Sequence, residues 1–406
     1  MVQNPAIILL AFGQTLVWTC LYYIFPALLL RWETVLGWSK LDLTLAITLA
    51  IATSAIFSPI AGKIIDRDYG NSLLLISAVL GGIGLTLLSL IETIWHFYLV
   101  WILIGISIAG CLYEPCFAIV TKYRGEKAKH DIITITLIAG FASTICFPLT
   151  HIISNIFSWQ VATVLFSFVV IFIAAPMLWI GATLIKKEAH QTILLEKTTQ
   201  YTKDKFLVKN PVFYYLAICF AIFALVHGVS LNHLLSILSE RGYTMNTAIL
   251  AASCIGPMQV VGRLIMLLSE KHLSTYKFSL IALLGMGISM AILFVSGSSV
   301  LLLFLFIAIF GTTYGTISVL RPIIVKNLLG SKSFGLKSGY LASAYLSGTA
   351  IAPYFGALIW KYFGYQNLIL ILLILGLLSW MIYIKVNKIS HIQDIKNIKY
   401  IERIKK

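Results

Sequence analysis

Twelve apolar runs, each near the length of one bilayer crossing, divide this chain. They lie near residues 6–30, 42–61, 72–91, 97–120, 132–154, 160–185, 211–235, 245–268, 276–296, 299–320, 336–359 and 365–385. A helix needs about 20 apolar residues to cross the hydrocarbon core. In that medium every backbone amide must be satisfied inside its own segment. Runs of this length and number lead to an all-α membrane protein with twelve transmembrane helices. Charge supports the same reading. A soluble domain carries about 25% charged residues; here 11% of 406 residues are charged, and they gather in islands between the runs. No loop is large enough to fold into a soluble catalytic domain.

The formal net charge is +15, which in another chain would suggest nucleic acid. The positions of the charges exclude that. With both termini in the cytoplasm, only Arg31, Lys40, Arg241 and Lys361 face outside. The remaining Lys and Arg fall on the cytoplasmic side, as the positive-inside bias requires. The expected partners are therefore the lipid bilayer, a small-molecule substrate and protons, with no nucleic acid. The expected location is the cell (inner) membrane, and the expected state is a monomer. Cys20, Cys111, Cys116, Cys146, Cys219 and Cys254 all fall inside spans, with neither disulfide nor metal spacing. They read as small packing residues, and no cofactor or metal is expected. Met1–Asn4 lacks the basic region of a cleavable signal.

The longest hydrophilic stretch, residues 186–210, divides the chain into six spans and six spans. The expected organisation is a bundle over 1–185, a cytoplasmic linker over 186–210, a second bundle over 211–385 and a basic tail over 386–406. The halves echo each other. Gly110-Cys111-Leu112-Tyr113 in the fourth span matches Gly311-Thr312-Thr313-Tyr314 in the tenth, and Gly62-Lys63 matches Gly262-Arg263. Two related six-helix bundles are the expectation.

Between the second and third spans stands Gly62-Lys63-Ile64-Ile65-Asp66-Arg67-Asp68-Tyr69-Gly70. Its Gly-x-x-x-Asp-Arg core resembles the signature loop of major facilitator superfamily transporters. That resemblance implies two pseudo-symmetric bundles that rock about a midplane site. It also implies a conformational latch at Gly62, Asp66, Arg67 and Gly70, with the Asp66 carboxylate bonding helix N-termini or basic groups of the other half. The flanking glycines would let the helices end and turn. The loop departs from the family pattern: one residue is extra before Gly70, and Asn71-Ser72 replace the basic pair. Gly37-Trp38-Ser39-Lys40 and Leu45-Ala46-Ile47-Thr48-Leu49 look like the same region of monocarboxylate-transporter-like members. The acidic motif of those members in the first span is absent, as are the glycine- and proline-rich motif and the membrane arginine of drug exporters.

Ionisable groups inside a bilayer are expensive and each needs a reason. Glu114, in Tyr113-Glu114-Pro115-Cys116, is the acid well inside a span. Pro115 lacks an amide donor and frees a carbonyl nearby. Glu114 reads either as a proton-coupling carboxylate or as a structural acid near the cytoplasmic edge. Arg321, before Pro322, reads either as a bidentate donor to an anionic substrate or as a basic flank. His227 and His233 on the seventh span differ by six residues and so share no face. They do not form a metal site, and each reads as a cavity proton acceptor or a packing histidine. Gln14, Trp18 and Tyr22, at i, i+4 and i+8, form one helical face suited to a pocket wall. Tyr314, Tyr340, Tyr345 and Gln259 complete the candidates. Gly330–Ser338 resembles a phosphate loop, but it has one residue too many and joins two spans, so no nucleotide site is expected. The chain has no metalloprotease or nucleophile-elbow motif, and no enzyme is expected. The expected function is a proton-coupled secondary transporter of a small organic solute, with a carboxylate among the candidates. The alternatives are an exporter or antiporter of a metabolite or siderophore-like compound, and a transport-inactive sensor or scaffold.

Overall fold

A computed structural model describes residues 4–192, 210–269, 273–329 and 334–404. The expected linker lies outside the described residues from 193 to 209, as does the start of the phosphate-loop lookalike at 330–333. Among the described residues the regular elements are helices. They are α1 (Pro5–Leu36), α2 (Lys40–Asp66), α3 (Gly70–Leu88), α4 (Ile94–Arg124), α5 (His130–Ile156), α6 (Trp159–Ala189), α7 (Pro211–Glu240), α8 (Met245–Ser269) and α9 (Thr275–Val295). They end with α10 (Val300–Leu329) and α11 (Phe334–Ile404).

Eleven described helices are long and apolar enough to cross a membrane, one fewer than the expected twelve. The difference lies in α11. Its apolar part, Tyr340–Ile389, has 50 residues and would measure ~75 Å if straight, more than twice the hydrocarbon thickness. It is not straight. Gly364 has a left-handed backbone, with φ 75° and ψ 170°, which glycine adopts without a Cβ penalty. Both arms pack on α7 at one depth. A Cβ on Gly348 would meet the Ala221 carbonyl, and the Ser379 hydroxyl donates to the Cys219 carbonyl at 3.1 Å. The arms before and after Gly364 therefore fold back side by side.

The two halves repeat one packing scheme. Gly13 of α1 lies on Leu178 of α6, as Cys219 of α7 lies on Ser379 in the second arm of α11. Gly105 of α4 meets the Ala50 backbone of α2, as Gly315 of α10 meets the Gln259 backbone of α8. Gly82 of α3 sits on α6 at Ile171, and Gly287 of α9 sits on Leu377 of α11. Small residues let backbones approach closely where lipid supplies no hydrophobic drive between helices.

Among the described residues, the pairs α5–α8, α2–α11 and α1–α7 join the halves. Along α5 and α8, Ser143 Oγ accepts from the Gly256 amide at 3.0 Å, and Thr144 donates to the Ser253 carbonyl at 2.8 Å. A Cβ on Gly256 would strike the Gly140 carbonyl. The second contact pairs α2 with α11. Helix direction alternates, so residues 37–39, 240–244 and 364 lie at one end of the bundle. Residues 67–69 and 125–129 lie at the other.

Candidate functional site

Local breaks in α1 and α4 build the first-half wall. In α1, residues Trp18–Tyr23 form a π-helical turn, a feature often found at functional sites. In α4, Leu112 is extended, with φ −80° and ψ −158°, and the helix restarts at Tyr113. Pro115 cannot donate to the Cys111 carbonyl four residues back. Gln14 Nε2 does so instead, at 2.8 Å. Gln14 is fully buried; its Nε2 serves the α1–α4 junction, while its Oε1 has no hydrogen-bond partner. The π-turn begins only at Trp18, so Gln14 and Trp18 keep α-helical register, with the Trp18 amide bonding the Gln14 carbonyl. Trp18 and Tyr22 do face each other, with ring centroids 4.8 Å apart, and Trp18 lies 4.6 Å from Tyr113. Tyr113 stacks on Phe117 at 4.8 Å and 16°.

The opposite wall comes from α7, α8, α10 and α11. His227 is sandwiched between Tyr314, at 3.5 Å and 8°, and Phe310, at 5.2 Å and 8°. Its Nε2 is buried without a partner. The Tyr345 hydroxyl is 3.3 Å from that of Tyr314. The Arg321 guanidinium lies 3.6 Å above the Tyr345 ring centre. Arg321 closes the apolar span Val300–Arg321, and α10 continues eight residues beyond it to Leu329. Tyr22 of the first half lies within electrostatic reach of Tyr314 and Tyr345. The two aromatic walls therefore face each other.

Arg263 was missed by sequence reasoning, which counted it as a basic flank. It is 2% exposed, and its Nη1 donates to the Thr136 carbonyl of α5 across the interface. It lies within electrostatic reach of Tyr23 and Tyr113. Its position six residues inside the end of α8 was the available signal. Neither Arg263 nor Arg321 has an acidic partner among the described residues. Four buried donors on these walls find no acceptor: Trp18 Nε1, Gln259 Nε2, Arg263 Nε and Arg321 Nε. Three other unpartnered indoles, Trp32, Trp101 and Trp159, sit together in an aromatic core at the Lys40 end of the first half.

Glu114 is exposed, in the first turn of the restarted helix, where the helix dipole favours a carboxylate. It lies within electrostatic reach of Tyr22 and Tyr113 and has no ion-pair partner among the described residues. His233 is fully buried: its Nε2 donates to the Pro353 carbonyl at 2.8 Å, and its Nδ1 is 3.0 Å from the Tyr365 hydroxyl. It is a packing histidine. Tyr340 is exposed, away from this centre, against Phe213. Two apolar hollows, of about 30 Å³ beside Met266 and about 230 Å³ beside Leu87, also lie away from it.

The loop between α2 and α3 departs from expectation in detail. Gly62 does not end α2, which runs to Asp66. The left-handed residue is Asp68, with φ 64°. Its amide bonds the Ile65 carbonyl, and the Tyr69 amide bonds Ile64, a Schellman closure with Asp at the usual glycine position. Gly70 instead opens α3, where a Cβ would strike Ile119. Lys122 Nζ caps the carbonyls of Ile65 and Asp66 and pairs with the Asp68 carboxylate at 2.7 Å. Tyr123 donates to that carboxylate, and Lys186 to the Asp68 carbonyl. These partners belong to the first half. The side chains of Asp66 and Arg67 are exposed and have no hydrogen bond or ion pair among the described residues.

Comparison with known proteins gives one family: the description Major Facilitator Superfamily matches residues 7–276. No curated protein matches the chain.

Proposed function

Because this chain belongs to the major facilitator superfamily, we propose that it is a secondary active transporter of a small organic anion. The solute is a carboxylate, moved across the cytoplasmic membrane by alternating access of the two halves. The carrying observation is the set of four unpartnered donors on the facing walls: Trp18, Gln259, Arg263 and Arg321. A buried donor without an acceptor is costly, and an unpaired buried cation is costlier. An anion with several acceptor oxygens relieves both. Arg321, stacked on Tyr345, and Arg263, tied to Thr136, hold planar donor forks that suit a carboxylate.

Glu114 would take up the coupled proton, as an unpaired acid at the first-half wall. The positive-inside bias of the basic residues supports cytoplasmic termini. The latch proposed for Gly62, Asp66, Arg67 and Gly70 would centre on Asp68 and Lys122, within the first half.

The test is flux of radiolabelled carboxylates of graded size into proteoliposomes, with and without an imposed pH gradient. Saturable uptake of at least one, lost in Arg321→Gln, supports the reading. Uptake or exchange confined to organic cations would overturn it and favour the exporter reading through Glu114.

A further inference from the structure

At the end opposite the Asp68 loop, a buried lysine joins the two halves. Lys40 opens α2 and is 4% exposed, a burial lysine almost never has without a partner. Its ammonium stands 3.8 Å from the ring centre of Trp360 and 5.0 Å from that of Tyr365. The Glu33 carboxylate lies 3.6 Å away. Lys40 and Glu33 belong to the first half, and the two rings belong to the second. The rings flank Gly364, so the turn that folds α11 back also forms the two walls of this seat.

The second-half side is braced. The Trp360 indole donates to the Glu240 carboxylate at 2.6 Å. The Tyr365 hydroxyl meets His233, which is anchored to the Pro353 carbonyl. Gly356 leaves room for the imidazole: a Cβ there would lie 2.6 Å from the ring. The seat is thus rigid before the ammonium enters. A cation over aromatic faces gains more when it is withdrawn from water. When the halves separate at this end, the ammonium must leave both rings.

We propose that Lys40, seated between Trp360 and Tyr365, is a pin that holds the halves together at this end, and that its withdrawal opens the end to solvent. This rests on the alternating-access reading above but not on the identity of the solute. The pin is a cation–π contact across the halves, with Glu33 holding the ammonium from its own side.

A cysteine placed at Ser236 reads the opening. Ser236 is 2% exposed on α7, beside the Tyr365 hydroxyl. With Cys254→Ser as background, Ser236→Cys is labelled by a membrane-impermeant maleimide in sealed vesicles of each orientation. Lys40→Gln, from one half, and Trp360→Leu, from the other, should each speed labelling from one side by about 10-fold or more. Lys40→Arg, which can still stack, should stay near the parent rate. The double variant should label no faster than the faster single, because both remove one contact. Parent-like rates in both singles, or rates that multiply in the double, would overturn the pin. A folding defect would speed labelling in vesicles of both orientations, whereas loss of the pin speeds it in one. Faster labelling in a protein that moves no solute would sink the transport reading and leave the pin. Solute flux with unchanged labelling would do the reverse.

Discussion

The side-chain amide of Gln14 donates to the main-chain carbonyl of Cys111 at 2.8 Å, where Pro115 has no amide to offer. One side chain on α1 thus satisfies the break in α4 that sets Tyr113 against Trp18. Gln14→Leu should leave the buried carbonyl unpaired and cost about 1–3 kcal/mol. The thermal midpoint of the purified protein should fall accordingly. Gln14→Glu should fall as well, since a carboxylate cannot donate.

Arg321→Lys should not rescue function. Lysine lacks the planar fork and stacks poorly on Tyr345. Uptake of the best carboxylate is expected to drop ~10-fold or more, the size of a lost charged hydrogen bond, with KM rising. Parent-like kinetics in Arg321→Lys would show that Arg321 is only a basic flank.

Glu114→Gln should abolish accumulation driven by a pH gradient and preserve exchange in vesicles pre-loaded with solute. Accumulation equal to the parent would remove Glu114 from coupling. Loss of exchange as well would place it in binding instead.

The Lys122 ammonium, and after it the Tyr123 hydroxyl, hold the Asp68 carboxyl below its usual range. A depressed folded value means the stabilisation is present above the unfolded value of about 3.9. It is lost as pH falls through the lower folded value. Asp68→Asn keeps a residue tolerant of positive φ. It should therefore melt slightly below the parent at neutral pH, and the gap should close in acid. The group is exposed, so solvent screening keeps the gap small. A gap that widens toward low pH would reverse the assignment.

Most helices were legible because apolar length alone separates crossings from loops. Gly364 falls between the runs 336–359 and 365–385, although no polar loop marks the turn there. Within the site, Trp18, Tyr22, Tyr113 and Tyr314 were candidates on the first, fourth and tenth spans, and the structure brings them within reach of one another. Gln14 keeps its helical spacing to Trp18, whose amide bonds the Gln14 carbonyl, but its side chain is taken by the break at Cys111, which no spacing along α1 announces. Arg263 was hidden by its resemblance to a basic flank. Only the packing of α8 on α5 reveals a guanidinium sealed between halves. Asp68 was overshadowed by Asp66, two residues away, because sequence does not tell which residue at a helix end takes the left-handed position.

The turn at Gly364 also bears on how the chain enters its membrane. The 50 residues around it offer an insertion machinery little punctuation, with Lys361 the charge beside the turn. Two apolar arms of this kind can enter together as a hairpin, each satisfying its own amides. If the turn failed to form, one crossing would be lost during synthesis. Everything after it, including the seven basic residues from Lys385 onward, would finish on the opposite face of the bilayer. The backbone of a single residue without a side chain thus separates two crossings from one.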